Sequence, residues 1–204
     1  MYFYRVLLVS CFSLFISCSG INPKAPATGP LRIHPANRIY FTNNSGKAIF
    51  LAGHQIFIDL QDPASRTLDW PWYLQLLTDK KLNYIRNWSE SAFTASPAGV
   101  SPLPYKRVAG YGNSNDGGEN FDLYQFEQSF FDRMRARAID LGNRGIYISY
   151  MLFDVYGFES PQNPGVGSNQ LFNASNNING IEASDLSFFF SPSSEILALQ
   201  KAYV

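Results

Sequence analysis

Asp154 is a residue whose setting invites chemistry. It closes the stretch GNRGIYISYMLFD (142–154), in which a glycine-flanked turn leads into mostly apolar and aromatic residues and then a carboxylate. Two readings fit. Either a buried strand passes into an ordinary loop with Asp154 solvated, or the strand ends at the rim of a parallel barrel, where strand ends carry the chemistry. Other chemistries lack their residues. The two cysteines, Cys11 and Cys18, both fall within residues 1–20. Once such a leader is removed, no thiol remains for a disulfide, a cysteine–metal site or a cysteine nucleophile. No GxGxxG, Walker or HExxH pattern occurs, which argues against a nucleotide-binding doubly wound sheet. NSNDGGEN (113–120) has a faint look of a calcium loop but no acid at the closing position, so it reads as a turn and no metal is expected.

The elements that would position Asp154 follow from local signals. RIYFTNNSGKAIFLAGHQIF holds two strand-like runs, 38–42 and 47–52, around an NNSG turn suited to a hairpin. The second run continues to Phe57, and its later half reads as a first barrel strand. LDWPWYLQLLTDKK is a helix, with Asp69 as cap, Pro71 in the first turn and an apolar face of Trp72 or Tyr73, Leu76 and Leu77. LNYIRNW (82–88) is the next strand, and a long loop is expected over 89–121. A second helix is predicted from Asp122, with Gln125 completing a capping box and Leu123, Phe126, Phe130, Met134 and Leu141 at helical spacing. Arg133, Arg135 and Arg137 read as a solvated face. Strand 142–154 follows, then a second long loop (155–191). A last helix starts near Ser191 or Ser193, with Ile196, Leu199 and Tyr203 on one side.

A hairpin followed by three strand–helix units implies a parallel sheet with helices outside. Both long loops follow strands, while the turns after helices are short. That asymmetry matches the active-site side of a (β/α)8 TIM barrel. A full barrel needs about 250 residues, so the expected fold class is α/β, holding about the first three β/α units of such a barrel as a fragment. The last helix also reaches Val204 with its apolar side still running, so the chain reads as the N-terminal part of a longer protein.

Residues 1–20 read as an export signal, with Arg5 as its basic region and an apolar core from Val6 to Ile16. FISC, with Ser17 before Cys18, resembles a bacterial lipoprotein signal in which Cys18 is lipidated; a plain secretory signal is the alternative. Residues 21–30 form a Pro- and Ala-rich tether, and 31–204 the domain. The expected location is the cell envelope as a lipoprotein, or the extracellular space, with the membrane reached only through the lipid anchor. The 16 basic and 16 acidic residues cancel, so no basic patch argues for nucleic acid. The 12 Tyr, 17 Phe and 3 Trp are many. Most belong to a core, and any surplus at loop tips would suit a ligand with flat apolar faces, as sugars have.

The segments HPANRIYFTNNSGKAIFLAGHQIFIDLQD, NYIRNWSE, FDRMRARAIDLGNRGIYISYMLFD and FNASNNINGI together resemble the N-terminal part of (β/α)8-barrel glycoside hydrolases, closest to the bacterial cellulase-like group of the large retaining clan. The resemblance covers about Leu31 to Val204. It implies a carbohydrate substrate, no cofactor, and a retaining mechanism with two carboxylates: a general acid/base after an Asn at the end of strand four and a nucleophile at the end of strand seven. Neither falls within this chain. The resemblance implies that Arg86 lies near the nucleophile and holds it ionised, and that Trp88, two residues on, stacks on a sugar ring or packs. Asn87 and Glu90 are further candidates. Strand one departs from the family pattern. In GHQ, Gln55 takes the usual His place and His54 precedes it, so either Gln55 contacts substrate or a bulge brings His54 in. Asp154 would accept bonds from sugar hydroxyls or cap the loop that follows. The rival readings are a non-catalytic glycan-binding surface lipoprotein and a scaffold protein with inward-facing aromatics. Oligomeric state is not legible.

Overall fold

The computed structural model describes residues 25–43, 45–56, 60–62, 67–88, 101–162 and 164–204. The leader with Cys11 and Cys18, the start of the tether, Phe57 and Glu90 lie outside the described residues. In chain order the strands and helices are β1 (Arg32–Ile33), β2 (Phe41–Thr42), β3 (Ala48–Ile49), β4 (Gly53–His54), α1 (Trp70–Asp79), β5 (Tyr84–Trp88), β6 (Tyr105–Arg107), β7 (Phe121–Phe126), α2 (Gln128–Asn143), β8 (Tyr147–Met151), α3 (Ser187–Phe190) and α4 (Ser194–Tyr203).

The expected hairpin is β2–β3, with Phe41 opposite Ile49 and Thr42 opposite Ala48. Its turn is closed by side chains: the Ser45 amide donates to Asn43 Oδ1 at 2.9 Å and Thr42 Oγ1 to the Lys47 carbonyl at 2.7 Å. β1 adds a third antiparallel strand beside β2. A separate parallel sheet runs β4-β5-β8. The hairpin sheet joins its N-terminal end, where Asn83 accepts from the Ala52 amide at 2.8 Å and Asn43 donates to Tyr147 Oη at 3.3 Å. Gly53 in β4 tolerates no side chain, because a Cβ there would lie 2.5 Å from both the carbonyl oxygen and the ring of Tyr84. Strand followed by helix thus recurs three times, as expected. The sheet is open and no closed barrel forms among the described residues, so the fold is mixed α/β.

Helix α1 starts as its sequence dictates. Asp69 accepts from the Trp72 amide at 3.0 Å, and Pro71 occupies the first turn, where no amide hydrogen is needed. It buries Tyr73, Leu74 and Leu77 and leaves Trp72 exposed. These side chains meet Ile85 of β5, Leu141 of α2 and Ile146 in one core.

Helix α2 begins five residues later than its pattern suggested, its cap at Glu127 instead of Asp122. Residues 121–126 are strand β7, paired antiparallel with β6, and the cap is Glu127, which accepts from the Ser129 amide at 3.1 Å. The Asp122–Gln125 contact does form, with Gln125 Nε2 donating to Asp122 Oδ2 at 2.8 Å, but in an extended segment. The Tyr124 amide and Asn179 Nδ2 donate to the other oxygen. Short polar side chains serve turns and strand ends as readily as helix caps.

Burial pushes the Asp122 carboxyl up, but these three donors outweigh it and hold it below its ordinary value. The Ser129 hydroxyl and amide hold Glu127 down in the same way, and Ser187 does so for Asp185. Depressed carboxylates stabilise the fold fully above the ordinary carboxylate range, and the gain is lost as pH falls through their folded values. The urea midpoint is therefore expected to stay flat from pH 7 to about pH 5 and to fall below about pH 4. Asp122→Asn should start lower at pH 7 and fall less steeply in acid; an unchanged acid slope would show that Asp122 carries none of it.

The Arg residues of α2 are not a uniformly solvated face. Arg137 is buried and donates to Asp62 Oδ1 at 2.6 Å and to the Gln61 carbonyl at 2.7 Å, with its guanidinium 4.8 Å from the Trp70 ring centre. Arg133 reaches the other Asp62 oxygen at 3.2 Å and the Ser101 carbonyl at 2.7 Å. Arg135 is exposed, as expected.

The two long connections are not plain loops. They fold together into a second core, with Leu103, Tyr105, Phe121 and Leu123 from the first and Phe158, Leu171, Phe172, Ile181 and Phe188 from the second, closed by Ile196 and Leu199 of α4. Helix α4 is capped by Ser193, whose Oγ accepts from the Ile196 amide at 3.2 Å. The Asn-rich turn that links the connections is structural. Asn177 Nδ2 donates to the carbonyls of Leu171, Asn173 and Ile181, and Asn176 is wholly buried.

Candidate functional site

The parallel sheet has two chemically different faces. Register sets Ile85 beside Ile148, Arg86 beside Ser149, Asn87 beside Tyr150 and Trp88 beside Met151. Ile85, Ile148 and Tyr150 pack on the helix-side core. Since side chains alternate along a strand, Tyr84, Arg86 and Trp88 project from the opposite face, together with Tyr147, Ser149 and Met151.

Strand β4 resolves the GHQ question. His54 pairs in register with Ile85, and its Nδ1 lies 3.3 Å from Tyr73 Oη of helix α1. Ile56 packs on the same core. His54 therefore lies on the helix side, and alternation sends Gln55 to the face that carries Arg86.

Arg86 is exposed and makes no ion pair with any described residue. Trp88 is half-buried beside it at the C-terminal end of β5. Asn87 behaves differently. It is wholly buried, accepts from the Leu60 amide at 2.8 Å and donates to the Trp88 carbonyl at 3.0 Å. It ties the segment after β4 to the end of β5 and thereby fixes the backbone from which Trp88 projects. Asp62, held by Arg137 and Arg133, anchors the same segment, and its carbonyl accepts from the Ser101 amide at 3.1 Å.

Asp154 is not solvated. It is 6% exposed and lies three residues past the end of β8, next to Phe153, whose ring meets Phe188 at 5.3 Å. It thus sits where the sheet end meets the second core. Its burial removes the solvated alternative and leaves a narrow surface for any ligand. The parallel sheet thus carries Gln55, Arg86 and Trp88 on one face and His54 on the other, and Asp154 lies beyond the end of β8.

The sequence reasoning did not find Asp62 or Arg137 as organisers of this end. Their signal was a charged residue on the inner side of a helix, and its partner lies 75 residues away. Among the described residues no group of three or more His, Cys, Asp or Glu is placed to hold a metal ion.

No family model matches this chain, and no curated protein does. A crystal structure of a "putative glycoside hydrolase" from Bacteroides vulgatus ATCC 8482 is similar, with a TM-score of 0.52 and 13% identity. The match covers 90% of this chain and 37% of that protein. The likeness is one of fold. It extends over both cores of this chain, and it spans well under half the length of the neighbour.

Proposed function

We propose that the chain is the N-terminal part of a (β/α)8-barrel glycoside hydrolase that cleaves O-glycosidic bonds of a polysaccharide or oligosaccharide. The observation that carries this reading is the exposed Arg86, without an ion pair among the described residues, beside Trp88 on the sheet face opposite the helices, at the C-terminal ends of parallel strands. In a barrel that face is the interior, and strand ends on that side hold the chemistry. The fold likeness and the open edges of the sheet support the same reading.

The mechanism belonging to this reading is retaining, with an acid/base and a nucleophilic carboxylate close together, both supplied from outside these 204 residues. Arg86 would face the nucleophile and favour its ionised form. Trp88 offers a flat apolar surface to a sugar ring, and Gln55 a neutral hydrogen-bonding amide. Asp154 would reach a sugar hydroxyl from the margin. Export through residues 1–20 and lipidation at Cys18 complete the proposal, and would place the enzyme at the cell envelope. Failure of Cys18→Ala to abolish incorporation of a labelled fatty acid would remove the anchor.

The test is sugar release from a polysaccharide panel by the full-length protein, with the anomeric configuration followed by NMR. Retention is expected, and Arg86→Leu should lower kcat/KM by about 10²-fold. A purified 1–204 chain should release nothing; release by it would place the carboxylates within these residues. Glycan binding without hydrolysis by the full-length protein would favour a non-catalytic surface lipoprotein instead.

A further inference from the structure

We propose that Tyr111, at the turn of the β6–β7 hairpin, is a stacking platform for a pyranose ring of a polymeric ligand, at a subsite outside the Arg86–Trp88 face. The proposal rests on the carbohydrate reading above and extends it to a specific residue.

Position comes first. β5 ends at Trp88, and α2 runs back to the turn that starts β8. The hairpin between them therefore leaves from and returns to the C-terminal end of the parallel sheet. Its base is fastened to the connection that follows β8: the Phe121 amide donates to the Asn176 carbonyl at 2.9 Å, and the Asn115 amide to Asn176 Oδ1 at 2.9 Å. The turn thus stands on the side where a glycan would lie across the strand ends.

The second argument is what the turn displays. Tyr111 is 64% exposed, although the chain has a large aromatic core in which a tyrosine could be buried. It sits between Gly110 (φ 85°) and Gly112 (φ 94°), both in the left-handed region that other residues rarely adopt. Two such glycines cost conformational entropy on folding, and they present a side chain that contributes little to the core.

The third argument is rigidity. The turn is cross-braced by the Ser114 amide to the Gly118 carbonyl at 2.7 Å and the Asn120 amide to the Gly112 carbonyl at 3.2 Å. Asn120 Nδ2 donates to the Tyr111 carbonyl itself at 3.2 Å. Arg107 pairs with Asp116 and lies 4.1 Å over the Phe121 ring. A backbone held this way fixes where the ring starts from, so the turn loses little freedom on binding.

Composition selects the ligand. Segment 110–120, GYGNSNDGGEN, combines one tyrosine with Gly, Asn and Ser. Tyrosine supplies a flat, amphipathic contact at low entropy cost, while the small polar residues supply hydrogen bonds. A flat apolar face bordered by amides and hydroxyls suits a sugar, whose ring has an apolar C–H face and a polar rim. A protein surface would call for a larger apolar patch than one ring.

The experiment is isothermal titration of the full-length protein with the hydrolysed polymer's hexasaccharide and disaccharide, for the wild type, Tyr111→Ala and Tyr111→Phe. Tyr111→Ala should weaken hexasaccharide binding about tenfold, leave disaccharide binding and the thermal midpoint unchanged, and be rescued by Tyr111→Phe, which keeps the ring. Equal hexasaccharide affinity in wild type and Tyr111→Ala overturns the proposal while leaving the hydrolase reading intact. Equal weakening of both ligands also overturns it, since the residue would then act through the central site. Absence of any glycan binding by the wild type overturns both readings.

Discussion

Asp62→Ala is expected to cost about 3–5 kcal/mol of folding stability, measured by urea unfolding. The reason is what the substitution leaves behind. Arg137 is 6% exposed, and after losing the carboxylate its guanidinium would still have the Gln61 carbonyl and the face of Trp70 beside it, neither of which carries a negative charge. A buried cation without its anion is far costlier than the pair was stabilising. Arg133 would lose its anion too, but it is closer to solvent and contributes less. The double variant Asp62→Leu, Arg137→Met removes both charges and should recover most of the loss, giving a large coupling energy in the cycle. A single-variant cost under about 1 kcal/mol would mean that water or a rearranged loop solvates Arg137. The expected loss matters for the site as well as the fold. Asp62 joins the segment after β4, the segment at Ser101 and helix α2, so its removal should also raise hydrogen exchange at the Leu68 amide, which donates to Asp62 at 3.1 Å.

What was legible in the sequence was whatever local chemistry determines. Asp69 with Pro71 marks one kind of start, and the structure caps α1 there. Ser193 marks another, and the apolar spacing of Ile196 and Leu199 states which side of α4 is buried. The apolar runs of β5 and β8 and the helices between strands imply parallel neighbours, which the register bears out. Two features were not legible. Strand β7 shares its residues with a plausible helix start, because Leu123, Phe126 and Phe130 fit helical spacing while Phe121 and Leu123 also fit alternation. What decides is β6, a partner lying fourteen or more residues earlier across a glycine-rich turn. Arg137 fails for a related reason. A helical wheel places it, but only Asp62, brought in from the end of another strand, can bury it.

At the candidate site the sequence was informative about type and silent about side. Arg86 and Trp88 share a face by simple alternation, and the structure puts that face away from the helices. The order GHQ alone left His54 and Gln55 open. Only the Tyr73 hydroxyl, one helix away, shows that His54 is the one on the helix side.

Phe188→Ala should cost about 3–5 kcal/mol, because it opens a cavity at the centre of the second core. The ring is wholly buried and meets Phe153 at 5.3 Å, Phe158 at 4.8 Å, Phe172 at 4.8 Å and Phe189 at 5.1 Å. These rings come from three parts of the connection after β8, and their interlocking is what turns it into a packed layer. Aromatic neighbours leave little scope for collapse, since rigid rings cannot fill the void as longer aliphatic chains can. The effect should reach the sheet. Phe153 lies between Phe188 and Asp154, and Tyr203 links the cores, with its ring 5.4 Å from Phe153 and its hydroxyl 3.0 Å from that of Tyr150 in β8. All three tryptophans, Trp70, Trp72 and Trp88, belong to the α1 and β5 side. Tryptophan fluorescence therefore reports the sheet half, while far-UV circular dichroism reports the whole. If both signals of Phe188→Ala shift to the same lower urea midpoint, the second core and the sheet unfold as one cooperative unit. If fluorescence keeps the wild-type midpoint while dichroism falls early, the second core opens by itself, and the hairpin that carries Tyr111 is set by a separate equilibrium.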